Sequence, residues 1–351
     1  MISILTLALL QASTSPSLEA AERGLAALAQ AQQDNGAWAA DVGYKLDSNY
    51  KVWRDDVSHI GVTALSGMAF LAGGHVPQRG KYGDVVDKAV NYILQHVQQD
   101  GYISHNETRL YSHAFATLFL AEVYGMTSRD DVRTALQLAV NLIVASQNEN
   151  GGWRYQPHVA DSDMSVAACQ VLALRSAHNI GIQVPVSNID AAVTYVRKSA
   201  IRNDDPAWSF YRDSQPGDFR YQPNLRARAS FALTAAGITI LNGAGVYADA
   251  DIERGLQRLE QQVSSFSRQY GSGMGGHYYF YYGHYYAVQA FHIAGGERYR
   301  AYLRLIQNEL LSMQNADGSW PNSVGPGSTY GTATACLILQ IPKEYLPIFQ
   351  R

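Results

Sequence analysis

One short stretch of this 351-residue chain holds two carboxylates suited to proton transfer: Asp161-Ser162-Asp163-Met164-Ser165. Like-charge repulsion between two acids one residue apart raises the affinity of the pair for a single proton. If the segment opens a helix, the amide dipoles stabilise the anion there. The acid is then stronger when protonated and harder to keep protonated. The same spacing fits plain helix-opening service, with Asp161 as N-cap and Asp163 complementing the dipole. A second stretch, His277 to Tyr286, packs Tyr278, Tyr279, Phe280, Tyr281, Tyr282, Tyr285 and Tyr286 around Gly283 and His284. Ring faces stabilise a desolvated cation by up to about 2 kcal/mol each. Tyrosines equally line wet mouths, with rings packed inward and hydroxyls outward.

Further polar groups recur at intervals. They are Trp53-Arg54-Asp55-Asp56 with His59, Tyr111-Ser112-His113, Arg154-Tyr155-Gln156-Pro157-His158, Arg220-Tyr221-Gln222-Pro223 with Arg226 and Arg228, and Tyr330. Asp55, Asp163, His113 and His284 are alternative acids and bases for sugar chemistry. Arg154 and Arg220, in duplicated segments, suit either an anion clamp or structural service at matching seams. His59, His113, His158, His277 and His284 include no close-spaced ligand pair, and they read as satisfied side chains rather than a metal set. There is no phosphate-cradling glycine loop, no nucleophile elbow and no acidic cluster for magnesium-bound diphosphate, so neither cofactor nor metal is expected.

A repeat must position these groups. Gln32 to Gly36 to Trp38, Gln147 to Gly151 to Trp153, and Gln314 to Gly318 to Trp320 share one spacing. Weaker copies are Gln99-Asp100-Gly101-Tyr102 and Arg202 to Trp208, and a sixth turn is expected near Gly271 to Gly276. Copies lie about 50 to 65 residues apart, room for two helices and their loops. Before each turn, apolar residues fall on one stripe, as in Val86, Val90, Ile93 and Val97, or Ile252, Leu256, Leu259 and Val263. One-sided helices belong on an outer ring. After each turn comes a loop and then a helix without a polar face: Ile60 to Leu71, Ala114 to Val123, Val166 to Leu174, Ala229 to Ile240, Tyr285 to Ala294 and Thr332 to Leu339. Those need cover on all sides and belong inside. Six of each predict an all-α chain, a single (α/α)6 toroid over residues 16–351, with an open solenoid as the alternative. All inner N-termini then lie at one end, and the polar groups above converge on one mouth.

The Gln-x-x-x-Gly-x-Trp turns resemble the QW repeats of squalene-hopene and oxidosqualene cyclases, found in looser form in protein prenyltransferase β-subunits. The resemblance covers residues 17 to 341 and implies the toroid fold of the terpene cyclase and prenyltransferase superfamily. The Asp161-Ser-Asp163 segment resembles the start of the Asp-x-Asp-Asp motif of class II terpene cyclases. That likeness assigns the protonating acid to Asp163 and supports Asp161 beside it. Met164 stands where the next acid belongs, and the single-Asp version of sterol-forming cyclases carries a Cys that is missing here. At the zinc-ligand positions of the prenyltransferases this chain has Tyr282, His284 and Gly331, so zinc-dependent prenyl transfer is not expected.

Charged residues make up 16% of the chain and the formal net charge is −3, without the basic face that nucleic acid would require. Cys169 and Cys336 are the only cysteines and read as buried, inert thiols. Residues 1–15 include an apolar run, Met1 to Leu10, of signal-peptide length and too short to span a membrane. A cleaved leader would export the protein, and an extra packed helix is the alternative. Three functions fit: a single-toroid, protonation-initiated cyclase with a small apolar ligand, a non-catalytic lipid- or peptide-binding toroid with peripheral membrane contact, and an exported lyase or hydrolase acting on carbohydrate. In each, the mouth residues Trp53, Asp55, His59, Tyr111, His113, Arg154, His158, Arg226, Tyr278, Tyr282, His284, Tyr285 and Tyr330 would contact the ligand.

Overall fold

A computed structural model describes residues 15–46, 49–205, 214–224, 227–270 and 279–350, the side chains of 45–46, 49 and 264–270 excepted. Among the described residues six helices form the outer ring: α1 (Pro16–Ala31), α3 (Gly83–Gln95), α5 (Asp130–Ala145), α7 (Val186–Ser199), α9 (Ala250–Tyr270) and α11 (Gly296–Met313). Six form the inner ring: α2 (Ile60–Ala72), α4 (Leu110–Thr127), α6 (Met164–Asn179), α8 (Phe231–Gly243), α10 (Phe280–Ala294) and α12 (Ser328–Gln340). Their burial explains the assignment. On α3 only one stripe, including Val86, Ala89, Val90 and Ile93, is buried, whereas every residue of α2 is. Each inner helix packs on the next, and α12 packs back on both α1 and α2. The ring is therefore closed, which excludes the open solenoid. The stretch before α2, expected to be irregular, is instead an antiparallel hairpin of β1 (Ala39–Leu46) and β2 (Asn49–Ser58). Period-2 patterning is faint there because few of its side chains are buried.

The repeat turns close the ring by one mechanism. Nε2 of Gln32, Gln147 and Gln314 donates to the carbonyl of Gly36, Gly151 and Gly318 at 3.0, 2.9 and 2.9 Å. The same nitrogen reaches a carbonyl of the neighbouring outer helix region: Val85, Asn188 and Ala20 at 2.9, 2.9 and 2.8 Å. Each tryptophan turns inward, and its Nε1–H donates to the carbonyl ten residues earlier: Leu28, Ile143 or Leu310, at 2.7 to 2.8 Å. The glycines must be glycine. Gly151 has φ +86°, and a Cβ there would lie 2.2 Å from the carbonyl oxygen of Ala191 on α7. Past Arg202, where the sequence spacing placed a weaker fourth copy, the chain makes another such contact. Gly217 (φ +96°) is the glycine that abuts the next outer helix, at Arg254 of α9. Phe219 takes the tryptophan's place, its N–H donating to Thr234 Oγ1 just as Trp38 N–H donates to Thr63 Oγ1. Trp208 and the expected sixth turn at Gly271 to Gly276 lie outside the described residues.

At the C-terminal ends of the inner helices the chain's own tail packs in, with Ile348 and Phe349 buried and Phe349 6.4 Å from the Tyr285 ring. Glu122 is buried beside this tail and accepts from Ser176 Oγ at 2.6 Å. Burial raises its pKa to about 7, against the opposing effect of Ser176 and the Ile348 amide. Cys169 and Cys336 are buried free thiols that donate to the carbonyls of Val166 and Ala21, and burial raises their proton affinity. Among the described residues no helix is long and apolar enough to cross a membrane.

Candidate functional site

Asp163 is the N-cap of α6, a role the sequence offered to Asp161. Its Oδ1 accepts from the Val166 amide at 2.9 Å and from Ser165 Oγ at 2.5 Å. Its Oδ2 accepts from Arg154 Nη1 at 3.2 Å and from the Tyr221 hydroxyl at 3.0 Å. The residue has no exposed surface. Burial raises its proton affinity above that of an ordinary aspartate, and Ser165, Val166, Arg154 and Tyr221 all work against that by favouring the anion.

Hydroxyls extend the network in two directions. Ser165 Oγ hydrogen-bonds the Tyr111 hydroxyl, and the Tyr221 hydroxyl bonds that of Tyr155 at 2.6 Å. Tyr282, from α10 on the next-but-one inner helix, donates to the Ser165 carbonyl at 3.2 Å. Asp161 lies at the outer edge, its Oδ2 3.5 Å from Arg154 Nε and its Oδ1 receiving the Gln222 amide at 2.9 Å. One guanidinium thus spans both carboxylates. The two Arg-Tyr-Gln-Pro segments occupy equivalent places. The Tyr155 carbonyl accepts from the Leu110 amide at the start of α4, and that of Tyr221 accepts from the Met164 amide at the start of α6. Their arginines diverge: Arg220 is buried against Asp205, while Arg154 faces the mouth.

Along α10 from Tyr282 the aromatic rings pack together. The rings of Tyr282 and Tyr286 lie 4.7 Å apart, those of Tyr285 and Tyr286 5.1 Å, and Phe115 meets Tyr285 at 6.1 Å. Tyr285 is 2% exposed and Tyr286 0%, so these two rings are packed against their neighbours instead of lining open space. Their hydroxyls are buried without a well-formed hydrogen bond, that of Tyr286 near Tyr282 and that of Tyr285 near Gln289.

Of the other mouth candidates, His59, His113 and His284 are buried and hydrogen-bonded within the fold. His59 caps α2, its Nδ1 accepting from Val62, and His113 bridges the Ile103 amide and the Ala139 carbonyl. Burial lowers both to about 4, so both are neutral. His284 points outward to the Tyr302 hydroxyl of α11 at 2.8 Å. His158 is exposed, 3.2 Å from the Ala145 carbonyl. Asp55 is exposed on β2, away from the Asp163 network. Tyr330 sits edge-on to Tyr281 at 6.2 Å, and Trp53 on β2 stacks against Arg109. Arg226, Tyr278 and His277 lie outside the described residues. No group of three or more potential metal ligands occurs among the described residues. Sequence reasoning missed Ser165, Tyr155, Tyr221 and Arg109 as site residues. The available signal was that Tyr155 and Tyr221 each fall two residues past the inward aromatic of a repeat turn.

No family model and no curated protein matches the chain. Solved structures do. A family 76 glycoside hydrolase (mannosidase) from Bacteroides thetaiotaomicron superposes with a TM-score of 0.62 at 10% identity, over 95% of this chain and 98% of that one. Cellobiose 2-epimerase from Bacillus thermoamylovorans gives 0.63 at 14% identity, over 92% and 98%. A type II terpene cyclase from Scytonema gives 0.57 at 14% identity, over 94% and 99%. These three share the toroid and carry out unlike reactions, so the likeness establishes the fold alone. None of them ties the chain to a family defined by Gln-to-Trp repeats.

Proposed function

We propose that the mouth binds a hydroxyl-rich, glycan-like ligand and that Asp163 transfers a proton to or from it. The observation that carries this reading is the packed aromatic layer. Tyr285 and Tyr286, one turn further along α10 than Tyr282, have almost no accessible surface, and the groups gathered around Asp163 are hydroxyls, a guanidinium and ring faces. Sugars are bound by that combination, with ring faces under their C–H surfaces and polar groups on their hydroxyls. Four donors on one carboxylate favour the anion, which acts as a base. A proton from the ligand reaches Asp163 through Tyr221, or through Tyr111 and Ser165, because each hydroxyl both donates and accepts. Two of the three similar toroids described above act on sugars by name, and the fold accommodates such chemistry.

A second reading, protonation-initiated cyclisation of a polyprenyl chain, is favoured by the raised proton affinity of Asp163 and by the rings beside it. It requires the Tyr282–Tyr285–Tyr286 layer to move aside and Asp163 to start protonated. Calorimetric titration separates the two. Neutral and acidic oligosaccharides are expected to bind, about tenfold more weakly in Tyr221→Phe. Binding of a polyprenol with every oligosaccharide silent would overturn the proposal.

A further inference from the structure

Beside the mouth, Arg109 immediately precedes α4 and lies against two rings from different parts of the chain. Its guanidinium carbon is 4.3 Å from the ring centroid of Trp53, on β2, and 5.8 Å from that of Tyr155. Arg154 continues the series, 4.5 Å from Tyr155 and 5.6 Å from Tyr221. Aromatic and arginine side chains therefore alternate from the hairpin to the Asp163 network. The two arginines differ in one respect. Arg154 is neutralised by Asp161 and Asp163. Among the described residues, no carboxylate pairs with Arg109 and no acceptor meets its N–H groups. The acid closest in sequence, Glu107, is engaged by Arg54. The indole N–H of Trp53 is buried without an acceptor, and Arg109 is half-buried.

We propose that Arg109 and Trp53 form a binding site for an oxyanion, a carboxylate or phosphate group carried by the ligand of the mouth. The ring contacts take none of the guanidinium's N–H donors, and a planar fork of donors matches two oxygens of such a group. The Trp53 N–H supplies a further donor, and the amide dipoles at the start of α4 favour negative charge there. A buried donor without an acceptor is costly, which gives the Trp53 N–H, beside the half-buried Arg109, a reason to exist at a binding rim. The inference takes the mouth as the ligand site and is independent of any proton transfer by Asp163.

The test is to titrate the protein with galacturonate oligomers, neutral oligosaccharides of equal length and inorganic phosphate, following the Trp53 indole N–H by NMR. Trp53→Phe assigns that signal. Acidic probes are expected to shift it and to bind more tightly than neutral ones. Arg109→Gln should weaken them at least about tenfold, and Arg109→Lys should lose most of the same, since the ammonium lacks the planar fork. Tighter binding of the oligomer identifies an acidic glycan, and tighter binding of phosphate identifies a phosphorylated ligand. Equal affinity for acidic and neutral oligomers, an unmoved Trp53 signal, or unchanged affinity in the arginine variants overturns the site while leaving glycan binding intact. Phosphate binding with all oligosaccharides silent does the reverse. Were Arg109→Gln to unfold, the wild-type preference and Arg109→Lys still decide.

Discussion

Replacing Gly151 by alanine should cost much more than the same change at Gly181, although the two share a backbone conformation. Gly151 has φ +86° and Gly181 +85°. The left-handed penalty for an L side chain is therefore common to both, about 1–2 kcal/mol. At Gly181 the new Cβ meets nothing within 4 Å. At Gly151 it would stand 2.2 Å from the Ala191 oxygen and 2.6 Å from its carbon. Relief needs a separation of roughly 1 Å between the turn and α7, with the overpacking cost of about 1–3 kcal/mol. That movement also breaks the Gln147 bond to the Asn188 carbonyl, now 2.9 Å, which is worth about 1 kcal/mol. The totals are about 3–6 kcal/mol for Gly151→Ala and about 1–2 kcal/mol for Gly181→Ala. Urea unfolding of both variants beside wild type measures the difference. Equal destabilisation would refute the claim that the turn glycines exist to let one repeat's turn touch the next repeat's helix.

Glu122→Gln should stabilise the protein above neutral pH. The folded pKa of Glu122 is raised to about 7, so its contribution is fully present below the usual glutamate range and is lost as pH rises through 7. Between pH 5 and 8 wild type should lose up to about 3 kcal/mol relative to the variant, and a pH-independent gap between their urea midpoints would count against it. His113→Ala should cost about 2–4 kcal/mol, because the Ile103 amide and Ala139 carbonyl are left buried and unpaired, and should leave oligosaccharide affinity unchanged. A loss of affinity at constant stability would return His113 to the site.

The toroid was legible because one set of residue types performs one task in three repeats. Gln32, Gln147 and Gln314 make the same pair of bonds, and their tryptophans the same inward bond. The turn at Gly217 was not legible because Phe219 stands at the inward position without the indole N–H that marks the others. At the site, a mouth at the inner N-termini followed from topology, but the capping role fell to Asp163 instead of Asp161, a shift of the size that helix-boundary reading cannot resolve. His59 and His113 stand where either a ligand contact or a cap would stand, and only their partners, Val62 and Ile103, separate the two. The Tyr155–Tyr221 contact joins residues 66 positions apart, and nothing local in the sequence encodes it.

The most direct measurement is turnover, followed by product mass, on oligosaccharides that bind wild type, with wild type and Asp163→Asn compared side by side. Asparagine keeps an acceptor for the Val166 amide and cannot take up a proton, so stability should change by no more than about 1–2 kcal/mol. Product formation should fall at least about a hundredfold while oligosaccharide binding persists. Wild-type turnover in Asp163→Asn, or conversion of squalene or a polyprenol with no change in any sugar, would contradict it.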